Sequence, residues 1–517
     1  MPFDPHAKDL TVAVIGTGTM GRGIVQVAAQ GGMHVIAYDE KHGAAAVAKD
    51  YIAKILAGLV DKGRVSAADA KATLDRVSIG HSLEDCAKAD VVIEAVLERL
   101  DVKQSLFQRL DQLCDPKIIL ASNTSSLPVT AIAAKCVHPE RVGGMHFFNP
   151  VPVMKLVEII GGLKTAPWVT DALMAIGRRM TRDPVMCIDS PGFIVNHVGR
   201  AFTTESPRIL TEGIATHAEI DRILTGAPGF KLGAFALADM VGIDVGFPVM
   251  ESIYQQFQHE PAYAPNPLSA LRAAGGLHGQ KTNAGWYDYK DGKRIDPALA
   301  TAPTTLPKSV WIWPSKDHPD LIAPLAEIFS KSGTTVETGE KPSADALVVL
   351  CQIGYDLTTA IHEVGLDGKR TVSIDVLFGL KGPRTLMVTP ATDPRMRDAA
   401  HALLASDGQS VIVINDSPGY VAQRTVAMIV NVGCNIAQRG IASPADIDKG
   451  AKLGLGYPFG PLEWGDRIGP GRILFILERL HKFYADPRYK PSPWLKRRVM
   501  LDLPLTAPEG AHLSSSP

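Results

Sequence analysis

Residues 10–39 restrict the fold of this chain more than any other stretch. Residues 10–15, LTVAVI, form a short β-branched run that leads into Gly16-Thr17-Gly18-Thr19-Met20-Gly21. A helical stretch, IVQVAAQ, follows, and then a second apolar run, HVIAY, that ends at Asp39. Strand, glycine loop, helix, strand, acid is the order of a nucleotide-binding βαβ unit, which requires a parallel sheet covered by helices. Glycines at these spacings let the backbone approach a pyrophosphate at a helix N-terminus, where free N–H groups and the helix dipole favour an anion. Asp39 stands where a carboxylate can bind both ribose hydroxyls and repel a 2′-phosphate, so NAD rather than NADP is the expected cofactor.

A second informative stretch, GGMHFFNPVPVMKLVEII, covers residues 143–160. Its centre, Asn149-Pro150-Val151-Pro152, must be extended or turned, because proline fixes its own φ and pushes the preceding residue out of the α region. Such a bend can bring His146 on one arm against Glu158 on the other. A buried imidazole beside a carboxylate is oriented and becomes a better base. On spacing alone another reading stays open: a core histidine satisfied by a backbone carbonyl, with Glu158 on a solvated strand face.

The rest of the chain fills out an α/β unit and then repeats part of itself. Residues 44–76 read as a helical hairpin, 89–97 (ADVVIEAVL) and 118–121 as buried strands, and 103–113 as a helix. The hydroxyl cluster SNTSSL at 122–127 sits just past a strand end, where α/β sheets place ligand contacts. Asp189-Ser-Pro-Gly-Phe-Ile-Val-Asn196 turns the chain into a mostly helical region over 197–289. That octet recurs as Asp416-Ser-Pro-Gly-Tyr-Val-Ala-Gln423, and the same spacing relates Gly213 to Gly440, Asp221 to Asp448 and Asp239 to Asp466. The helical region is therefore expected to be duplicated. Residues 290–308, polar and rich in Ala, Thr and Pro, read as a linker.

At 517 residues the chain is expected to hold three or four domains. Its net charge of −1 gives no global attraction to nucleic acid or to an anionic membrane surface. The six cysteines are scattered without a CxxC, so no metal site is expected and a reduced, cytoplasmic protein is the plain reading. The start, MPFDPHAKDL, does not read as a signal peptide, and no apolar run is long enough to span a bilayer.

The segment HFFNPVPVMKLVE, residues 146–158, resembles the active-site signature of the L-3-hydroxyacyl-CoA dehydrogenase family over its whole length. The resemblance is good over 10–290 and 410–500, and the layout resembles the long bacterial members, the 3-hydroxybutyryl-CoA or 3-hydroxyadipyl-CoA dehydrogenases. It implies that His146 is the catalytic base and Glu158 its partner. It places Ser125 and Asn196 on the substrate, Glu98 and Lys103 by the nicotinamide half of the cofactor, and Asn149 with Gly16, Thr17, Gly18, Thr19, Met20, Gly21 and Asp39 among the cofactor contacts. The second copy keeps the family's GYPxGPxE pattern at 456–463, whereas the first has Ala234 and Ala236 in place of the proline and glutamate.

The expected fold is thus an α/β Rossmann domain plus an all-α C-terminal domain, both duplicated, the second Rossmann-like domain being degenerate. The expected spans are 1–188, 189–289, a linker 290–308, 309–413, 414–502 and a frayed tail 503–517. The expected activity is NAD-dependent oxidation of an L-3-hydroxyacyl-CoA to the 3-oxoacyl-CoA, in fatty acid or phenylacetate-type catabolism. An acyl-CoA is then the small-molecule partner, with no nucleic acid and no membrane, in a monomer with an intramolecular pseudo-dimer or a homo-oligomer. The competing readings are a dehydrogenase of another small 3-hydroxy acid, a non-catalytic structural relative and a nucleotide-binding regulatory module. The second half is expected to bind no cofactor. Its strand at 310–313 runs into Pro314–Pro319 without a glycine loop, and laying 155–159 over 384–388 puts Asp375 opposite His146, Met387 opposite Glu158 and Gln423 opposite Asn196.

Overall fold

A computed structural model describes residues 4–314 and 319–509. The βαβ signature opens an eight-stranded sheet of β1 (Thr11–Ile15), β2 (His34–Tyr38), β3 (Val77–Ile79), β4 (Val91–Glu94), β5 (Ile119–Ser122), β6 (Val142–Phe147), β7 (Leu156–Gly161) and β8 (Asp183–Ile188). Their order is β3-β2-β1-β4-β5-β6-β7-β8. The chain runs outward from β1 to β3 and then returns to the other side of β1, which makes the crevice above β1 and β4 a topological switch point, where such sheets bind ligands. Strands β4, β5 and β6 are buried along their whole length, as expected of apolar runs covered on both faces. Within this sheet only β6 and β7 pair antiparallel, with His146 directly opposite Glu158. The short proline bend between them cannot make a crossover, so it makes a hairpin.

The chain divides into two compact units, Met1–His197 with Arg439–Leu455, and Val198–Gln438 with Gly456–Pro517. The helix Pro444–Leu455, expected within a separate helical domain at 414–502, therefore belongs with the first sheet, where it packs beside β7 and β8.

In the second unit, β9 (Asp288–Lys290) and β10 (Lys293–Ile295) form a hairpin. The linker expected at 290–308 thus begins with a strand. The signal for it is Asp291-Gly292, whose φ values of 51° and 72° fit the type I′ turn that Asp-Gly favours. A six-stranded sheet follows, of β11 (Ser309–Ile312), β12 (Thr335–Glu337), β13 (Leu347–Leu350), β14 (Thr371–Ile374), β15 (Arg384–Val388) and β16 (Val411–Asn415), in the order β12-β11-β13-β14-β15-β16. Of the proline segment expected to replace a glycine loop after β11, residues 315–318 lie outside the described residues.

The register of the second sheet corrects one expected correspondence. Val388 pairs with Asn415 as Gly161 pairs with Ile188, and both members are displaced by the same 227 residues. By that offset Glu158 falls on Thr385, not on Met387. The Asp375 amide donates to the Thr385 carbonyl at 3.2 Å, so Asp375 lies across from Thr385 as His146 lies across from Glu158. The start of the stretch expected to fray is also fixed: Leu505 is fully buried and its amide donates to Asp466 Oδ1 at 2.6 Å. Among the described residues no helix is long and apolar enough to cross a membrane.

Candidate active site

The glycine loop connects β1 to the helix Thr19–Gln30. Gly16 has φ +88°, and a Cβ there would lie 2.6 Å from the Ala95 carbonyl oxygen; one on Gly21 would lie 1.7 Å from that of Gly16. These two positions admit only glycine. Gly18 differs, with nothing within 4 Å of where its Cβ would be. The N-cap of the helix is this same Gly18, which has no side chain to satisfy the first-turn amides. Open space over uncapped amides suits a pyrophosphate, so the residues present fit the expected dinucleotide. Thr19 is exposed and Met20 half-buried beside that space.

Asp39 ends β2 and holds the loop in shape. Its Oδ2 accepts from the Thr17 amide at 2.7 Å and the Thr17 hydroxyl at 2.9 Å, and its Oδ1 from the Lys41 amide at 3.0 Å. Burial pushes its carboxyl up, but these donors outweigh it and hold the group below the ordinary carboxylate value.

At the other end of the crevice, His146 Nδ1 lies 2.7 Å from Glu158 Oε2. Glu158 is fully buried, and its other oxygen accepts the amides of Ile194 and Val195 at 3.0 and 2.8 Å. A carboxylate with these three donors is fixed in place. It keeps the proton of the ring on Nδ1 and leaves Nε2 as the basic nitrogen. Phe148 and Phe193 flank the ring at centroid distances of 4.5 and 5.9 Å. The β6–β7 bend is held from behind by Arg182, whose Nη1 donates to the carbonyls of Val151 at 3.0 Å and Met154 at 2.7 Å. Asn149 is exposed on that bend.

Ser125 and Asn196 are brought together: Asn196 Nδ2 donates to the Ser125 carbonyl at 3.3 Å. The loop carrying Ser125 is tied to β6 by Asn123 Oδ1, which accepts the Phe147 amide at 2.8 Å. Glu98 gathers the same loop. Its Oε1 accepts the Thr124 hydroxyl at 2.7 Å and the amides of Ser125 and Ser126 at 2.9 and 3.1 Å. Burial raises the Glu98 carboxyl, but the charge of Lys103 and these donors outweigh it and keep it low.

Lys103 is itself buried. Its Nζ lies 2.7 Å from Glu94 Oε1 and 3.1 Å from Glu98 Oε2. Glu94, fully buried, also accepts the Val96 amide at 2.6 Å and the Ser122 hydroxyl at 2.7 Å. Glu94, Arg182, Asn123 and the two amides on Glu158 were not among the residues singled out from the sequence. Glu94 had a signal: a charge inside the apolar run 91–97 must be paired, and Lys103 is near enough to pair with it. The backbone donors leave no trace in residue identity.

Residues 11–190 match the model of the 3-hydroxyacyl-CoA dehydrogenase NAD binding domain, and residues 192–289 and 419–507 match that of the 3-hydroxyacyl-CoA dehydrogenase C-terminal domain. The chain is 37% identical over 495 residues to a 3-hydroxyadipyl-CoA dehydrogenase of Escherichia coli K12, covering 95% of this chain and 98% of the relative. It is 38% identical over 280 residues to a 3-hydroxybutyryl-CoA dehydrogenase of Clostridioides difficile, covering 54% of this chain and 99% of that one. The crystal structure of a 3-hydroxybutyryl-CoA dehydrogenase from E. coli K12 superposes with a TM-score of 0.83 at 36% identity, covering 95% of this chain and 98% of the other. With both domain models matched and near-complete coverage of a long relative, this chain belongs to the 3-hydroxyacyl-CoA dehydrogenase family.

Proposed function

We propose that the chain oxidises L-3-hydroxyacyl-CoA to 3-oxoacyl-CoA, and reduces it in reverse, through the His146–Glu158 pair. The reading rests above all on the buried Glu158 held by two amides and the imidazole. NAD, when bound at the glycine loop, supplies the hydride acceptor for C3. His146 Nε2 takes the 3-hydroxyl proton, and Glu158 stabilises the imidazolium that results. Ser125 holds the 3-oxygen and Asn196 the thioester end. Glu98, Lys103 and Asn149 shape the nicotinamide side. Assaying NADH oxidation with acetoacetyl-CoA against free acetoacetate tests the reading: activity on the free acid alone would overturn the CoA assignment, and activity on neither would overturn the enzyme. The relatives' names include one acyl end that is a methyl and one that is a carboxylate, so a panel of both kinds of acyl-CoA sets the tail. Six free cysteines fit a reduced, cytoplasmic setting.

Cofactor choice follows from Asp39. Its carboxylate, fixed by Thr17, would face the 2′-phosphate of NADP, so the unaltered chain should strongly prefer NADH. In Asp39→Ala that preference should narrow by about tenfold or more, one tenfold being about 1.4 kcal/mol of lost repulsion. Steady-state kinetics with both cofactors checks this, and equal use of the two by the unaltered chain would contradict it.

The second half, as we read it, is a degenerate copy that does no chemistry and serves as an intramolecular partner for the first helical domain. In support, Asp375 and Thr385 stand in place of the catalytic pair. Gln423, offset from Asn196 by the repeat, donates to Asp375 Oδ1 at 2.9 Å and accepts the Gly354 amide at 2.9 Å, so the polar groups there satisfy one another. Burial pushes the Asp375 carboxyl up to about 6 from an ordinary value of 3.8, against the pull of Gln423 and the Leu377 amide. Between these values the folded chain binds more protons than the unfolded one, so this group's contribution falls as pH rises from about 4 to about 6 and is constant above. The size is about 3 kcal/mol, at about 1.4 kcal/mol per unit. The stability of Asp375→Asn relative to the unaltered chain should therefore rise by about that amount between pH 4 and pH 8. Its turnover should be unchanged. Denaturant titrations at the two pH values and a standard assay check both statements, and lost turnover would contradict the inactive reading.

A further inference from the structure

We propose that the helix Pro444–Leu455, which comes from the second half of the chain, is a positioning element of the active site, acting on Glu158 through Gly450 and Gly454. The proposal rests on the reading of Glu158 as the partner of His146. Two anchors dock this helix beside β8: Lys449 Nζ donates to the Pro184 carbonyl at 3.2 Å, and the Ile188 amide donates to the Ile441 carbonyl at 2.9 Å. Gly450 and Gly454, four residues apart, share one face of the helix. Glycine is a poor helix former, so a pair on one face needs a packing reason.

The reason is what that face touches. A Cβ on Gly450 would lie 2.9 Å from Ile194 Cγ2, and one on Gly454 would lie 2.7 Å from Val195 Cγ2 and 2.9 Å from Leu156 Cδ2. Ile194 and Val195 are the two residues whose amides hold Glu158 Oε1. Leu156 lies two residues before Glu158 on β7 and so faces the same side of the sheet. All three contacts therefore bear on the catalytic carboxylate. Val195 cannot swing aside, because its branched side chain is short, stiff at χ1 and has both methyls within 2.9 Å of the built Cβ. Bulk at position 454 must move the backbone of Val195, and with it an amide that fixes Glu158. Gly450 and Gly454 thus touch no substrate, yet they set the orientation of the base.

The test uses the full chain with Gly454→Val, Gly454→Ala, Val195→Ala and Glu158→Gln. Gly454→Val should lower kcat by about tenfold or more, while KM for acetoacetyl-CoA and the NADH Kd change by less than about threefold. Adding Val195→Ala, which makes room for the new side chain, should restore most of kcat. In a Glu158→Gln background, Gly454→Val should cost little further, because the group it acts through is already altered. Equal loss in both backgrounds, or no loss in Gly454→Val, would overturn the proposal. Should the valine variant fail to fold, the alanine variant is read by hydrogen exchange of the peptide carrying the Ile194 and Val195 amides. Faster exchange there is expected, and unchanged exchange would overturn the proposal. This readout is independent of turnover. If the unaltered chain proved inactive on acyl-CoA while exchange rose as expected, the functional reading alone would fail.

Discussion

His146→Gln should turn over acetoacetyl-CoA about 10²–10⁴-fold more slowly than the unaltered chain while still binding NADH, the usual scale for loss of a general base. The geometry predicts this separation of chemistry from cofactor binding. His146 sits at the end of β6 with Nδ1 committed to Glu158 at 2.7 Å, whereas the glycine loop and Asp39 lie at the ends of β1 and β2. A glutamine amide can still donate to Glu158, so the buried carboxylate keeps three donors and the fold should survive. What is lost is a nitrogen able to take a proton. Glu158→Gln should be impaired less, since the imidazole remains but is no longer held in one tautomer or stabilised when charged. Stopped-flow reduction and NADH fluorescence titration measure the two quantities separately. Turnover near that of the unaltered chain in His146→Gln would sink the mechanism.

The parts of this site that could be read in advance are those in which one residue type has one physical use. Gly16 and Gly21 meet backbone carbonyls at distances no side chain tolerates, and Pro150 and Pro152 force the bend that lays Glu158 across from His146. The loss of a register cue hid Thr385: without a histidine or a glutamate, β14 and β15 offer only apolar alternation, which a shift of two residues leaves unchanged. Glu94 is legible in the sequence only as a buried charge in need of a partner, which says nothing of its place behind Glu98 and Lys103. Lys103, expected beside the cofactor, is almost wholly buried between the two glutamates, so a role there would have to pass through Glu98. The place of the helix Pro444–Leu455 could not be read at all. Its sequence is that of an ordinary amphipathic helix, and the local hint is the pair of glycines that lets it approach Val195. Which sheet a helix packs on is decided by contacts far away in the chain, and these leave no periodicity behind.

A fragment ending at residue 295 should be unstable or aggregate, even though it holds every residue assigned to the reaction. Two losses combine. Within the first unit, removing 439–455 strips the cover from Leu156, Ile194 and Val195, all at or below 2% exposure, and leaves the turn that holds Glu158 unsupported. Within the second, Glu205 is fully buried in the helix Val195–Thr211, and its partners come from beyond the cut. Arg424 Nε lies 2.5 Å from Glu205 Oε1, the Tyr489 hydroxyl donates to the same oxygen at 2.7 Å, and Arg488 lies 3.6 Å from Oε2. Burial alone would push the Glu205 carboxyl up; Arg424 and Arg488 outweigh it and hold it low. A buried charge stripped of its partners costs about 3–5 kcal/mol, a large share of the stability of a typical domain. In the full chain, Arg424→Met should be destabilised on that scale, and adding Glu205→Gln should recover part of it, because a buried charge left with Arg488 as its remaining cation is then gone. Calorimetry of the intact chain should count one NADH, since the second half would act here as packing and counter-charge rather than as a second site. Two NADH per chain would refute the inactive half. A soluble, monomeric and fully active 1–295 fragment would refute its structural role, for then neither Arg424 nor the helix Pro444–Leu455 would be needed to hold the first half together.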